Sequence, residues 1–569
     1  MHAGVLVPMI AMRWVPLLTI ALVLLTLALL LPKVLTLIHM VVHSLVALLL
    51  IKLDLLAALP VCDFPTAPEA APTSRRLRMQ LPKDHSVRMA PAHSNFLEPE
   101  KAARHASIAI IDDSTKTVVR SLFIKCGSAS SRGLPLWLVA LATFSGNREI
   151  LFYQRIRRLL SPRLRIPQAV LAAEVSMLAR WCLVLTDTSP GGAVEYTRDA
   201  KAEEQPLQPP ARRRSRSPPR ASTKAAGDAE IAYAVPDRTG CSLAMALSVV
   251  RSLASLHATF WGVAHTAPAL EPLTKPRGAH GPTGYVPAPA VGLILGRTLP
   301  KLPRLERLWK LLLSSRLADA PTTLLHGDCR PENLTFHCRG STAAADSILD
   351  AGKVASSSSG ADDGSAGGSA GGSAGGSAAG SAAGSAAGAA DDESSAGWRV
   401  SLLDWEAIGI NPAANDLVYF ITVGLRAADA AQWEEQLLSA YHAALVEAIA
   451  EERGRNGRSA VSAGVEEEYS LERLRADYKL ISCVLLVVQA CFATADIFKG
   501  WGNNRANFLP WLVRLCRLTQ RLDVPAICDL LPEEHREELV GIFASMQDKA
   551  AAGIERLAAE HGSTLIESL

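Results

Sequence analysis

Residues 323–336 read TLLHGDCRPENLTF. Two apolar stretches enclose a loop that holds a His, two acids, an Arg, a Pro and an Asn. Short apolar stretches bounded by such residues read as strands or core. A polar loop on that scaffold is a place where chemistry is put. Asp328 and Asn333 stand in a D-x-x-x-x-N pattern, and Asp404 closes another strand-like run at LLDWE, 402–406. One Asp at a strand end carries little information, but the ordered set of Asp, Asn and a second Asp is more demanding. Phosphoryl transfer needs a carboxylate to orient the acceptor hydroxyl and take its proton, a side-chain oxygen to help hold Mg²⁺, and a further carboxylate to bridge the metal to the nucleotide phosphates. Asp328, Asn333 and Asp404 could supply these in turn. Mg²⁺ takes hard oxygen ligands and keeps few protein carboxylates beside phosphate and water.

The upstream half supplies a matching pair. Lys125 ends the run SLFIK, 121–125, and Glu149 lies in NREILFYQRIRRLL, 147–160, whose apolar residues recur at helical spacing with basic residues on the other face. A strand Lys held by a helix Glu against nucleotide phosphates is another recurring part of this machinery. Taken singly, each is an ordinary surface charge. The order Lys, Glu, Asp-x4-Asn, Asp is what gives the set its weight.

Around these residues the chain reads as an α+β protein with a β-rich first half and a helical second half. ASIAII (106–111) and TVVRSLFIK (117–125) predict a strand pair turning at DDSTK, and WCLVLTDT (181–188) and WRVSLLDWE (398–406) are strand-like. LAMALSVVRSLASLHATFWG (243–262) predicts a long helix, and the chain after Asp416 is mostly helical. Two stretches are low in complexity. QPLQPPARRRSRSPPRASTKAAGD (205–228) is basic and Pro-rich, and GSAGGSAGGSAGGSAAGSAAGSAAG (364–388) is a Ser/Gly/Ala tract. Neither offers enough apolar surface to offset chain ordering, so both are expected to be disordered. The formal net charge of +3 gives no push toward nucleic acid, and none is expected as a partner. The ten cysteines show neither CxxC pairs nor zinc-ligand spacing and read as buried free thiols.

The N-terminus predicts a membrane anchor. VPLLTIALVLLTLALLL (15–31) is uncharged, and VLTLIHMVVHSLVALLLI (34–51) continues it with His39 and His43. A span needs about 20 predominantly apolar residues. Lys52, Arg75, Arg76, Arg78 and Lys83 after the block outnumber Arg13 before it, which favours a cytosolic location for the rest of the chain.

LLHGDCRPENLTF, LLDWEAIGINPAANDLVYF, REILFYQRI and LASLHATFWG together resemble the aminoglycoside-phosphotransferase and choline-kinase branch of the protein-kinase-like fold, and most of all its ecdysteroid-kinase-like (CHK kinase-like) group. The resemblance runs from about Ala106 to the C-terminal helices, inserts excluded. It implies a bilobal protein-kinase-like fold and ATP-dependent transfer of the γ-phosphoryl group to a hydroxyl of a small molecule. It also implies Asp328 as catalytic base, Asn333 and Asp404 as Mg²⁺ ligands, and Lys125 with Glu149 as the phosphate-positioning pair. The backbone of LVLTDT, with Leu185 and Asp187, would meet adenine, and His326 and Asp416 would shape the catalytic loop. The sequence departs from the pattern before Lys125, where VRMAPAHSNFLEPEKAARH (87–105) contains no Gly.

The expected organisation is a hydrophobic membrane-anchoring segment over 1–60, a linker and candidate start of the first lobe over 61–105, a kinase-like N-lobe over 106–190, a disordered basic insert over 191–230, a C-lobe with the catalytic loop over 231–341, a disordered Gly/Ser/Ala insert over 342–397, and the metal-binding strand with the helical C-lobe over 398–569. The functional expectation is a membrane-anchored small-molecule kinase using ATP and Mg²⁺. The alternatives are a kinase-fold pseudoenzyme or a membrane-tethered scaffold. Nothing in the C-terminal helices names the acceptor, and the oligomeric state is unknown.

Overall fold

Alternate residues of four strands are buried in the first unit: Ile108 and Ile110, Leu122 and Ile124, Leu171 and Ala173, Cys182 and Val184. This period of two puts one face of a sheet on a core. The computed structural model describes residues 68–89, 103–115, 117–127, 148–175, 180–186, 230–233, 240–274, 289–339, 398–455, 468–494 and 505–568. The chain divides into two compact units. The first comprises residues 1–155, 168–187 and 192–200, and the second residues 156–167, 188–191 and 201–569.

The described part of the first unit is a five-stranded antiparallel sheet of β1 (His85–Met89), β2 (Ala103–Asp112), β3 (Val118–Gly127), β4 (Ala169–Val175) and β5 (Arg180–Thr186), in the order β1-β2-β3-β5-β4. Ala71 and Leu77, from helical turns at 68–78, close the core beside Val87. The predicted strand pair is present as β2 and β3, with its turn fixed by the Asp112 carboxylate, which accepts from the backbone N–H groups of Ser114 and Thr115. Lys125 does not end its strand, because β3 continues to Gly127.

The predicted single helix over 147–160 is broken. It forms α1 (Arg148–Leu151), a π turn (Phe152–Ile156) and a 3₁₀ turn (Arg157–Leu159). The Arg157 guanidinium, assigned by periodicity to a solvated face, instead donates to the carbonyls of Ile166 and Pro167 at 3.1 and 2.9 Å.

The second unit is mainly helical. Its helices include α2 (Leu243–Ala258), α3 (Pro289–Thr298), α4 (Pro303–Ser314), α5 (Ala414–Gly424), α6 (Ala427–Arg455), α7 (Leu471–Thr494), α8 (Arg505–Gln520) and α9 (Arg536–His561). Two small sheets carry the loops of interest. In one, β6 (Glu230–Tyr233), β8 (Leu334–Arg339) and β9 (Arg399–Leu402) are antiparallel, with Leu334 opposite Leu402. In the other, β7 (Thr322–Leu325) pairs with β10 (Gly409–Pro412). The strands on either side of the HGD loop therefore belong to different sheets, and the loop is the crossover between them.

The membrane expectation is corrected. Among the described residues no helix is long and apolar enough to cross a membrane, so the structure gives the N-terminal membrane segment and the membrane-anchored location no support. The most apolar long helix, α7, has Glu472, Arg473, Arg475, Asp477 and Lys479 in its first half, so its uncharged remainder is shorter than the roughly 20 residues a span requires. Residues 1–60 lie outside the described residues, as do nearly all of the basic insert and the whole Gly/Ser/Ala insert.

Candidate active site

The HGD loop of the second unit is held from behind by Asp416, near the start of α5. Its carboxylate is 1% exposed. It accepts from the backbone N–H of His326 at 2.7 Å, from the N–H of Gly327 at 2.9 Å and from His257 Nε2 at 3.2 Å. Burial alone would raise its pKa. The His257 hydrogen bond and charge, the nearby His326 and the Gly327 amide outweigh burial and hold Asp416 below the usual carboxylate range. His257, on α2, is fixed in turn by Tyr441 of α6, whose hydroxyl lies 2.7 Å from Nδ1.

Within the loop, His326 is buried. Its Nε2–H donates to the Leu403 carbonyl at 2.7 Å, and its Nδ1 accepts from the Asp328 amide at 3.4 Å. The ring sits against Trp405, with centroids 4.7 Å apart. Gly327 has φ +82°, and a Cβ there would lie 2.2 Å from the Ala407 carbonyl oxygen. Only Gly meets both conditions at that position.

Asp328 follows. The Tyr419 hydroxyl donates to its Oδ1 at 2.8 Å, the Asn333 Nδ2 donates to its Oδ2 at 3.0 Å, and Arg330 Nε stands 3.3 Å from Oδ2. Asn333 Nδ2 also donates to the Asp328 carbonyl at 2.9 Å. Burial first, then the Asp328 carboxylate, push the Tyr419 phenol well above its ordinary pKa, so it remains a donor. Burial draws Arg330 down, but Asp328, Tyr419, Glu332 and Asp404 around it raise it overall. The neighbouring Cys329 thiol is fully buried and pushed up by that burial, which makes it unreactive.

The strand partner brings in Asp404. The backbone N–H of Leu403 donates to the Asn333 carbonyl at 2.9 Å, and Trp405, fully buried, donates from Nε1 to the Leu402 carbonyl at 3.2 Å. Between them Asp404 has φ 58° and ψ 71°, the left-handed conformation. Among the described residues it is the one non-Gly residue with positive φ. Such outliers are uncommon and collect at functional sites. The donor set suits a hard cation, since Asn333 spends its amide nitrogen on Asp328 and keeps its oxygen, and Asp404 adds a carboxylate. No cluster of three or more His, Cys, Asp or Glu side chains that could hold a metal occurs among the described residues.

In the first unit, Lys125 Nζ and Glu149 Oε2 are 3.0 Å apart, with the side chains 12% and 2% exposed. Lys125 is opposite Leu183 of β5 and lies 5.9 Å from the centroid of the Trp181 ring. Leu185 is buried and paired with Phe123. Asp187 lies outside the described residues, as does the Gly-free stretch at 90–102.

The second unit thus brings together Asp328, Asn333, His326 and Asp416, with Asp404 one residue beyond the Leu403–Asn333 hydrogen bond. The first unit brings Lys125 to Glu149. Sequence reading missed four residues: Arg330, Tyr419, His257 and Tyr441. Arg330 lies within the opening motif, Tyr419 follows Asp416 in DLVYF, and His257 lies in LASLHATFWG; Tyr441 has no sequence signal.

No protein-family model matches the chain, and no curated protein matches it. Among solved structures it is similar to amicoumacin kinase hAmiN in complex with AMP-PNP, Ca²⁺ and Ami, at 12% identity over 72% of this chain and 82% of that one, with a TM-score of 0.26. At that TM-score the superposition carries no argument, and the functional reading rests on the residues of the chain itself.

Proposed function

We propose that the chain is an ATP-dependent phosphotransferase with an alcohol group of a small molecule as acceptor. The observation that carries this is the way Asp328 is held. Its Oδ2 is occupied by Asn333 and Arg330, while Oδ1 takes one donor, Tyr419. A carboxylate oxygen accepts at two lone-pair sites, so Oδ1 keeps one for an acceptor hydroxyl.

In the proposed reaction the acceptor oxygen attacks the γ-phosphorus of ATP as its proton passes to Asp328. The bond from that phosphorus to the β-phosphate oxygen breaks, and ADP leaves. Asn333 Oδ1 and the Asp404 carboxylate would hold Mg²⁺, which when bound supplies charge neutralisation at the phosphates. Lys125, paired with Glu149, is assigned to the nucleotide phosphates, and the β5 backbone at Leu185, with Asp187 after it, to the adenine. Arg330 supplies a fixed positive charge beside Asp328. A buried Lys–Glu pair adds little net stability compared with an apolar pair, so a functional reason for keeping one is reasonable.

The test is transfer of label from γ-labelled ATP to a panel of hydroxylated small molecules by the purified full chain. A labelled product made by the parent, and reduced about 10²–10⁴-fold by Asp328→Asn, supports the reading. Equal labelling by parent and variant removes Asp328 from the chemistry.

A further inference from the structure

Four helices of the second unit leave an open cavity of about 1140 Å³ between the N-terminus of α4, the second half of α7, α8 and α9. None of the residues assigned to phosphoryl transfer lines it. Its walls come from two separate small cores. Leu509 and Leu557 belong to one, packed around Val513 and Ile554, and Leu486, Trp511, Leu515 and Met546 belong to the other. Helix α8 contributes to both, and the space between them is not filled by side chains. Leu512, also in the lining, is 39% exposed. Small-molecule pockets of about 300–1,000 Å³ are typically apolar with a few placed polar groups, and this open cavity is somewhat larger than that.

The rim has one dominant sign. Lys301, Arg304, Lys549 and Arg556 line the opening, and Glu560 is the one acid there. None of the four cations has a carboxylate within ion-pair distance among the described residues. That contrasts with Arg307, one turn along α4 from Arg304, which pairs with Glu538 at 2.8 Å. Burial raises the pKa of the Cys516 thiol, and the charges of Arg517 and Arg556 oppose it. A cation at the edge of an apolar floor can meet an anionic head while the floor takes the body attached to it.

We infer that this cavity is a binding site for a free amphipathic anion, a long-chain carboxylate whose chain lies along Trp511, Leu515 and Met546 and whose head meets Lys549 and Arg556. An uncharged amphiphile would gain nothing from the four cations, which are exposed at the opening, and a small polar anion would leave the apolar floor wet.

The test uses the full chain and cis-parinaric acid, a fluorescent 18-carbon carboxylate, with its methyl ester as the uncharged comparison. The expected result is saturable one-to-one binding of the acid, weaker binding of the ester, and a loss of affinity of about 5- to 20-fold in Lys549→Ala/Arg556→Ala. A second readout on the unaltered protein is alkylation of Cys516 by N-ethylmaleimide, followed by peptide mass spectrometry, which palmitate should slow. Absence of saturable binding would overturn the proposal. Equal binding of acid and ester would remove the role of the cations, and binding that leaves Cys516 alkylation unchanged would put the ligand elsewhere; either also overturns it.

Discussion

Replacing Asp416 with Asn tests how the HGD loop is held. The carboxylate accepts from three buried donors, the N–H groups of His326 and Gly327 and His257 Nε2, on two oxygens. An amide keeps one acceptor oxygen and puts an NH₂ where the other stood, so at least one loop N–H then faces a donor. A hydrogen bond to a charged group is worth about 1.5–3 kcal/mol. At about 1.4 kcal/mol per factor of ten, local opening should become roughly 10–150-fold easier. The assay is amide hydrogen exchange of the peptide covering 322–333, read by mass spectrometry at pH 7, with a peptide from β2 and β3 as internal control. Exchange should accelerate in the loop peptide and stay at the parent rate in the control. Parent-rate exchange in the loop peptide would refute the view that Asp416 holds it. The pH dependence follows from the same contacts. Asp416 is held below its ordinary value, so its contribution to stability is present above the unfolded carboxylate value of about 3.9 and is lost as pH falls through the lower folded value. Asp416→Asn should remove that acid-side component.

Three further outcomes are expected. Gly327→Ala must put a Cβ 2.2 Å from the Ala407 oxygen at φ +82°, so it should destabilise the loop by more than the roughly 1–2 kcal/mol that left-handed backbone alone costs; parent-like melting would contradict this. Tyr419→Phe removes one donor from Asp328 and should lower phosphoryl transfer several-fold while leaving Mg·ATP affinity unchanged, measured by titration and single turnover. Lys125→Met and Glu149→Gln each remove one member of a buried ion pair and should cost about 3–5 kcal/mol, with the double variant costing less than the sum; additive denaturation energies would mean that the two side chains do not interact.

The geometry of the HGD loop was legible because its spacing is local. Asp328 and Asn333 are joined by a hydrogen bond within one turn of chain, and the strand pairing that delivers Asp404 follows from two apolar runs. His257, Tyr419 and Tyr441 were not, since each meets its partner across 91 to 184 residues and nothing in a neighbouring stretch records that contact. In the first unit β1 and β4 were missed for different reasons. HSVRM has little apolar alternation, and AVLAAEV is rich in Ala, which favours helix; both are strands because the sheet offers an edge to pair with. The helix over 147–160 failed in the opposite way. Its periodicity was sound and its Glu149 meets Lys125, the pair the sequence named, but Arg157 turns to the loop that follows, a use of a charged side chain that looks like a solvated face in sequence.

In the proposed reaction Asp328 and Asp404 do different parts of one phosphoryl transfer. The direct test is Mg·ATP titration by calorimetry, paired with single-turnover transfer or, without an acceptor, slow ATP hydrolysis, on the parent, Asp328→Asn and Asp404→Asn. The account predicts that Asp328→Asn binds Mg·ATP like the parent and loses about 10²–10⁴-fold in turnover, whereas Asp404→Asn loses Mg²⁺-dependent affinity and turnover together. If all three proteins bind and turn over Mg·ATP alike, these residues are not a phosphotransfer site.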